Sequence, residues 1–378
     1  MTGHKSFFIL TGRQQIIGKQ KTHGNFSPAL MTPSTLTPCV SVLIVCHNDG
    51  KWLPRCLESL RSQTMFERIE IIIADNASQD GSDQLARELT STWSNSLFIS
   101  TGGDHGFCVG VNRAAAAARG EYLHIINPDT WLEPDCIEQL YQSVKTAKVG
   151  AAGPFILNYD DDSPQSQCPV GFDIFGDFVL PRKNEDWRKP FCAVGFFFIR
   201  RELFFQIGQL DEVHFMYGEE MDLSWRIWIV GESMIGVPEA KIHHRGAVGV
   251  NPDGGVTMAE NRTSGRKRFL ANRNRLLIIS KNAQHILLLM LPPCAALILL
   301  EALVTLVMTR SWSLIRETQL AAMSDCWRLR AHIFKQRCRI KAIRQRGDFW
   351  LLRFFRFGFG RSNEVKDILR RGFPKITR

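Results

Sequence analysis

Three aspartates each stand at or just beyond the end of an apolar, β-rich run. Asp49 follows Val40 to Cys46, Asp75 follows Ile69 to Ala74, and Asp129 follows Tyr122 to Ile126 in the stretch EYLHIINPDTWLE. Carboxylates just past the C-terminal ends of parallel strands face the crevice where open α/β sheets bind ligands. A second acidic group is Glu219-Glu220 with Asp222, three carboxylates within four residues. They repel one another and require a cation, an arginine or a catalytic use. If a helix begins near Glu219, Glu219 and Asp222 share a face and Glu220 points elsewhere. His243-His244 follows and can supply a metal ligand.

The elements that must carry these groups are legible as repeated units. Val40 to Cys46 is a continuous apolar, β-rich run with the one small polar residue Ser41, as suits a strand buried on both faces. Leu53, Leu57 and Leu60 recur at helical spacing, with Pro54 near the start. Ile69 to Ala74 is a second strand, followed by a helical stretch through Leu89, and Leu97 to Ser100 is a short third strand. A glycine-rich loop, Gly102 to Gly110, leads into a predicted helix from Val111 to Arg119. Tyr122 to Ile126 is the central strand, stopped by Asn127-Pro128-Asp129, and Pro134 opens a helix. Ala193 to Ile199 is again strand-like, and Arg200 to Phe204 starts a helix. Successive β-then-α units predict an α/β fold, a doubly wound and mostly parallel sheet. The first strand is not followed by G-x-G-x-x-G, and no G-x-x-x-x-G-K-[ST] is present. Those two omissions remove the dinucleotide and P-loop readings.

The 378 residues carry a formal charge of +10, with 44% hydrophobic residues and ten cysteines that form no CxxC pair. A disulfide framework or zinc site is not expected, and a reducing cytosol fits. From Arg310 onward there are 18 Lys/Arg against 5 Asp/Glu. The tail alone is strongly basic, which calls for anionic lipid or another acidic partner. Ile286 to Thr309 holds one charge, Glu301, and is long enough to cross a bilayer. A single crossing would part the catalytic region from the basic tail. A segment broken at Pro292-Pro293 that dips and returns, or one lying in the interface, keeps both on one side. A buried helical hairpin is the soluble alternative. Trp350 to Phe359 interleaves aromatic residues with arginines, as suits a membrane interface. The expected organisation is a poorly ordered extension over 1–38, a catalytic domain over 39–283, an apolar segment over 284–310 and a basic helical tail over 311–378.

Together the pieces VSVLIVCHNDGKWLPRCLESL, IIIADNASQDGS, GGDHGFCVGVNRAAAAARGEYLHIINPDTWLEPD, AVGFFFIRRELFFQIGQLDE, FMYGEEMDLSWR and PEAKIHHRG resemble glycosyltransferase family 2, with its GT-A fold of nucleotide-diphospho-sugar transferases. RFLANRNRLLIISKNA is similar to a stretch of rhamnosyltransferase-like members. The resemblance implies that Asp75 holds the uracil or thymine and ribose side of a nucleotide, that Asp49 lines the base pocket, and that Asn76 and Asn112 lie on that side. Asp129 would be the metal-binding Asp of a D-x-D-type motif, with Asn127 at the motif's first position. His244, or alternatively His243, would be the late metal ligand, for Mg²⁺ or Mn²⁺. Glu220 stands at the position of the catalytic base, where the family has Asp, with Glu219 as the fallback base and Asp222 beside them. The extra methylene lengthens the reach by roughly 1.5 Å.

The function so implied is an inverting transfer of a sugar, rhamnose by preference, from a UDP- or dTDP-type donor to a glycan or lipid-linked acceptor. It would serve cell-surface polysaccharide synthesis on the cytoplasmic face of the membrane, in contact with membrane lipids. A non-catalytic, membrane-bound sugar-nucleotide-binding subunit is the alternative. A nucleotidyltransferase would share the sheet without needing the Glu219–Asp222 element. Nucleic acid is not an expected partner; a nucleic-acid-binding tail would show steeply salt-dependent binding.

Overall fold

The structure is a computed structural model that describes residues 37–246 and 262–377. The extension expected over 1–38 therefore lies almost wholly outside the described residues. The chain opens with β1 (Val40–Cys46), α1 (Leu53–Arg61), β2 (Ile69–Asp75), α2 (Ser82–Thr90), β3 (Ser96–Ser100), α3 (Phe107–Ala117) and β4 (Tyr122–Ile126). These four strands are mutually parallel, in the order β3-β2-β1-β4. β1 pairs Cys46 with Asp75 of β2 and Ile44 with Ile126 of β4, so the strand ends that precede Asp49, Asp75 and Asp129 lie level along one edge.

Alternation along β1 explains why the strand is apolar but for Ser41, which donates to Glu70 of β2 at 2.6 Å. Leu43 and Val45 enter one core with α3, while Val42 and Ile44 enter the other with Leu53, Leu57 and Leu60 of α1. Helix α1 starts with proline in its first turn, where no N–H partner is lost. Helix α3 begins four residues earlier than Val111. Gly106, at φ +84°, admits the tight approach of Phe215, which a Cβ there would meet at 2.6 Å.

Beyond β4 the sheet becomes mixed. The elements are β5 (Thr130–Leu132), α4 (Cys136–Ala147), β6 (Ala151–Asn158), β7 (Pro164–Ser166), β8 (Gly171–Phe172), β9 (Phe178–Val179), β10 (Phe198–Arg200), α5 (Arg201–Gln206), α6 (Glu219–Ile229) and β11 (Met234–His244). The order continues β4-β10-β6-β11-β5, with β10 antiparallel to both its neighbours, β11 parallel to β6, and β7 on β6. The Ala193 to Ile199 strand is mostly absent: only Phe198–Arg200 joins the sheet. Gly195 sits at φ +70° and turns the apolar run away from the ladder. The Asn-Pro-Asp turn is followed at once by β5, which pairs antiparallel with the end of β11.

The remaining elements include β12 (Arg262–Ser264), α7 (Gly265–Asn282), α8 (Leu291–Thr309), α9 (Trp312–Ile315), α10 (Ala321–Arg328) and α11 (Arg330–Ile343). The apolar segment is thus one 3-10 turn running into one helix of 19 residues, with its two prolines in the helix's first turn. No break or hairpin forms, because proline at those positions starts a helix instead of ending it. Much of the basic tail is engaged by the fold. Arg337 donates to the carbonyls of Ser280 and Ala283, and Arg344 to that of Asn282, at the C-terminus of α7. Arg356 pairs with Glu185, and Arg361 with Asp177 and Glu301. Asp348 accepts from the backbone N–H groups of Gln284, His285 and Leu287 at 2.7–3.0 Å.

Helix α7 holds the acidic motif in place. Asn274 donates its carboxamide to the carbonyls of His214, Met216 and Tyr217 at 2.7–2.9 Å. Arg273 donates to those of Val213 and His214. Lys281 bridges Asp211 and Asp222, the latter at 3.0 Å. Asp222 also accepts two bonds from Arg226 and one from Asn282. Burial alone would raise the Asp222 carboxyl, but the charges of Arg226 and Lys281 hold it well below the usual carboxylate range. Asp211 is likewise held low against burial, by Lys281 and a bond from His332.

Two outcomes follow from these contacts. Lys281→Met leaves two buried carboxylates short of a cation, and unfolding by denaturant is expected to show a loss of about 3 kcal/mol, since Arg226 and His332 remain. Both aspartates have folded pKa values below their unfolded value of about 3.9, so their contribution is complete above that pH and is lost as pH falls below it. In Lys281→Met the decline of stability below about pH 4 is therefore expected to be shallower than in the parent. Asp348→Ala orphans three backbone donors, and the same measurement is expected to show a loss of about 2–3 kcal/mol.

Candidate active site

The aspartates that follow the strand ends do converge. Asp49 accepts from the backbone of His47 at 2.7 Å and lies close enough to Asp129 for the two charges to interact. Burial first, then the charge of Asp129, pushes the Asp49 carboxyl up to about 7 in spite of that hydrogen bond. Asp75 is buried at the end of β2 and accepts from the backbone N–H of Ser78. Asn76 donates to the carbonyl of Gly106 at 2.9 Å, and its Oδ1 is buried without a partner. His47, singled out by no motif, bonds the carbonyl of Asn76 at 2.8 Å through Nδ1. Asp80, two residues before Ser82, accepts from Gly50 and ties the Asp49 turn to the Asp75 loop.

The tandem histidines separate by strand alternation. His243 is fully buried, stacks on Trp131 at 3.4 Å between ring centroids, and meets Glu133 at 3.0 Å. His244 faces the other way, its Nε2 3.5 Å from Asp129 Oδ2 and its Nδ1 2.8 Å from Gln165 Oε1. Burial lowers the His244 pKa more than Asp129 raises it, so the ring is neutral and able to ligate. Asp129 Oδ2 also accepts from the backbone of Gly246 at 3.0 Å. Among the described residues no three His, Cys, Asp or Glu side chains gather as a metal cage. Asp129 with one oxygen and His244 with one nitrogen fit a divalent cation that takes its remaining ligands from a phosphorylated ligand and water, and the imidazole suits Mn²⁺ better than Mg²⁺. Gln165 fixes the orientation of the His244 ring through its contact at Nδ1, as the outer partner of a ligating imidazole would. Its position on β7 gave no signal in the sequence.

The acidic motif starts α6 as expected, after Gly218 at φ +86°. Glu219 and Glu220 are half-buried, whereas Asp222 is fully buried. Burial raises both glutamate carboxyls, Glu219 furthest because Glu220 adds its charge, and Glu219 Oε2 has no partner. Two expected site residues are fold residues. Asp222 is consumed by Arg226, Lys281 and Asn282. Asn112 exchanges two bonds with the backbone of Leu210 and donates to Glu212, so its carboxamide is turned away from the strand ends. Asn112 finds its partners about a hundred residues away, and Asp222 adds Lys281 and Asn282 to its neighbour Arg226 one helical turn on.

The nucleotide side and the acidic side share their supports. Gly106 accepts from Asn76 and packs on Phe215, whose carbonyl accepts from Cys108 at 3.1 Å. On the opposite flank, Phe196 meets the His244 ring edge-on at 5.0 Å, while Cys192 feels the charges of Glu220 and Glu219. The irregular stretch that failed to join the sheet thus runs between the His244 corner and the glutamates.

Comparison with known proteins bears on the family and the fold. The chain spans 30% and 63% of the lengths of two curated relatives it matches, the second being glycosyltransferase GlyG of Streptococcus pneumoniae, 27% identical over half of this chain. An N-acetylglucosaminyl-diphospho-decaprenol L-rhamnosyltransferase of Mycobacterium tuberculosis is 29% identical over 63% of this chain and 86% of its own. The crystal structure of S. aureus TarS 1-349 in complex with UDP-GlcNAc shares the fold, at 12% identity and a TM-score of 0.54 over 80% of this chain and 88% of that one. The family model described as Glycosyl transferase family 2 matches residues 41–208. This stretch, with the GT-A fold built around it, belongs to glycosyltransferase family 2, among relatives that include rhamnosyltransferases.

Proposed function

We propose that the protein transfers a sugar, rhamnose by preference, from a UDP- or dTDP-linked donor to a hydroxyl of a lipid-linked glycan, with inversion, at the cytoplasmic face of a membrane. The observation that carries this reading is the meeting of Asp129 and His244 at the sheet edge that also bears Asp49 and Asp75. Asp75, Asn76 and Asp49 receive the nucleoside. Asp129 and His244 would hold Mg²⁺ or Mn²⁺, whose charge would offset that of the leaving diphosphate. Glu220, at the start of α6, takes the proton of the acceptor hydroxyl as it attacks the anomeric carbon; Glu219 is the fallback. The M. tuberculosis relative is named for a lipid-diphosphate acceptor, and the apolar Ile286–Thr309 segment favours work beside a membrane.

Glutamate at position 220, where the family has aspartate, favours a second reading, a subunit that binds sugar nucleotide without turning it over. Donor turnover decides between the two. UDP-, dTDP- and GDP-sugars are offered with Mg²⁺ or Mn²⁺ and a membrane lipid extract, and release of nucleotide diphosphate is followed. Glu220→Gln is expected to lower release by about 10²- to 10⁴-fold while donor binding is kept. Tight donor binding with no release by the parent protein supports the second reading.

The pH profile has a definite sign. A base is active when deprotonated, and burial raises the Glu220 carboxyl. The rising limb of the rate is therefore expected to lie above the ordinary glutamate value of about 4.3; a limb at or below that value excludes Glu220 as base. Gln165→Ala frees the His244 ring, and the Mn²⁺ concentration giving half-maximal turnover is expected to rise by about 10- to 100-fold.

A further inference from the structure

Helix α8 has one face covered and the other bare. Cys294, Ile298, Ala302 and Thr305 recur at helical spacing and are buried against the body of the protein. On the opposite side Leu299, Leu300, Leu303, Val304, Val307 and Met308 form a continuous stripe, each 41–67% exposed. Such a stripe on one helix marks an interaction surface. Its covered face is tied down by polar contacts: Glu301 pairs with Arg361 and accepts from Asn272, and Thr305 accepts from Arg268 at 2.8 Å. Both ends of the helix are fixed as well. Ahead of it Leu287 and Met290 are core residues, and Asp348 holds the backbone at Gln284, His285 and Leu287. Behind it Ile315, Thr318 and Gln319 are buried.

We infer that α8 lies in the plane of an anionic bilayer surface, with its outer stripe in the headgroup–acyl boundary and its inner face on the protein, and does not cross. The inference rests on the membrane reading above and adds the mode of seating. A crossing would set the two fixed ends on opposite sides of a hydrocarbon core about 30 Å thick, although both are built into the body of the protein. It would also place Glu301 and Thr305 in that core stripped of Arg361, Asn272 and Arg268. In-plane seating keeps every one of these contacts and buries only the bare stripe. The rim has the matching chemistry: Trp312 is 59% exposed just past the helix, and Arg310 and Arg316 are exposed on either side of it. Tryptophan and arginine at that height suit the headgroup layer of an anionic membrane.

The test uses the full chain with an epitope after Arg378, added to preformed vesicles of phosphatidylcholine with or without phosphatidylglycerol. Flotation is expected to show tighter binding when phosphatidylglycerol is present. The double variant Leu303→Asp/Val307→Asp is expected to lose at least about tenfold in vesicle partitioning, as charges are poorly accepted there. Its unfolding midpoint should stay at the parent value, because both residues are exposed. Protease added outside the vesicles is expected to remove the epitope. An epitope protected inside the vesicle means that α8 crosses, and overturns the in-plane seating while leaving membrane binding intact. A parent protein that fails to float with either lipid overturns both. Unchanged vesicle binding by the double variant, together with conversion of a dimer to a monomer in solution, assigns the stripe to a second copy of the chain and also overturns the proposal.

Discussion

The turn that delivers the two glutamates is strained, and a single helix holds it. Phe215 lies at φ 64° and ψ −65°, with Met216 N–H donating to the His214 carbonyl at 2.8 Å. This is the γ-turn of positive φ, a rare backbone geometry. Tyr217 follows at φ 71° and Gly218 at φ 86°. Non-glycine residues in that region are held only where the surroundings over-determine them. Here the surroundings are Asn274, with one NH₂ group shared among three carbonyls, Arg273 on two more bonds, and the Cys108 N–H on the Phe215 carbonyl. The start of α6, and so the direction of Glu219 and Glu220, depends on α7 being in place.

That dependence gives the basic tail a structural role. The C-terminal turn of α7 is capped by arginines from α11 and the stretch after it, and the carboxylates of the acidic region are balanced by Lys281 and Arg226 from within the fold. Positive charge therefore has two uses in this chain. Buried cations fix the acidic motif, and a smaller exposed set is left to face other molecules. A charge count along the sequence cannot separate them, because it does not see which guanidinium meets a carbonyl and which meets water.

The parallel half of the fold was legible for a simple reason: β1, β2 and β4 are buried on both faces and read as apolar runs broken by one interior polar residue each, Ser41, Glu70 and His124, of which the first two bond one another. The strand ends, and with them the placing of Asp49, Asp75 and Asp129, came with it. Ala193 to Ile199 has the same composition and still left the ladder, because Gly195 needs a positive φ there. Asn112 and Asp222 carried the right side chains for a site and turned out to hold Leu210 and Arg226. The Asp222–Arg226 pair has the i,i+4 spacing of a helix and could have been read, but the pairings of Asn112 with Leu210, of Asp222 with Lys281 and of Gln165 with His244 are long-range and leave no periodic trace. The register of His243 and His244 was equally hidden, since it is set by the partner strand.

That partner strand has a further consequence. β5 pairs Thr130 with His244 and Trp131 with His243, and Asp129 immediately precedes Thr130. The gap between the carboxylate and the imidazole is thus a property of a backbone ladder. Side-chain search contributes little to it, so any cation bound there as proposed would meet two groups already spaced, with little ordering left to be done. The same ladder makes the spacing brittle. One residue added or removed between Asn127 and Leu132 would slide β5 by a single step, present the other histidine, and set Trp131 on the wrong side of the sheet. Length in this short segment is therefore under tighter constraint than most of its side chains, and natural variation here should occur by replacement and seldom by insertion.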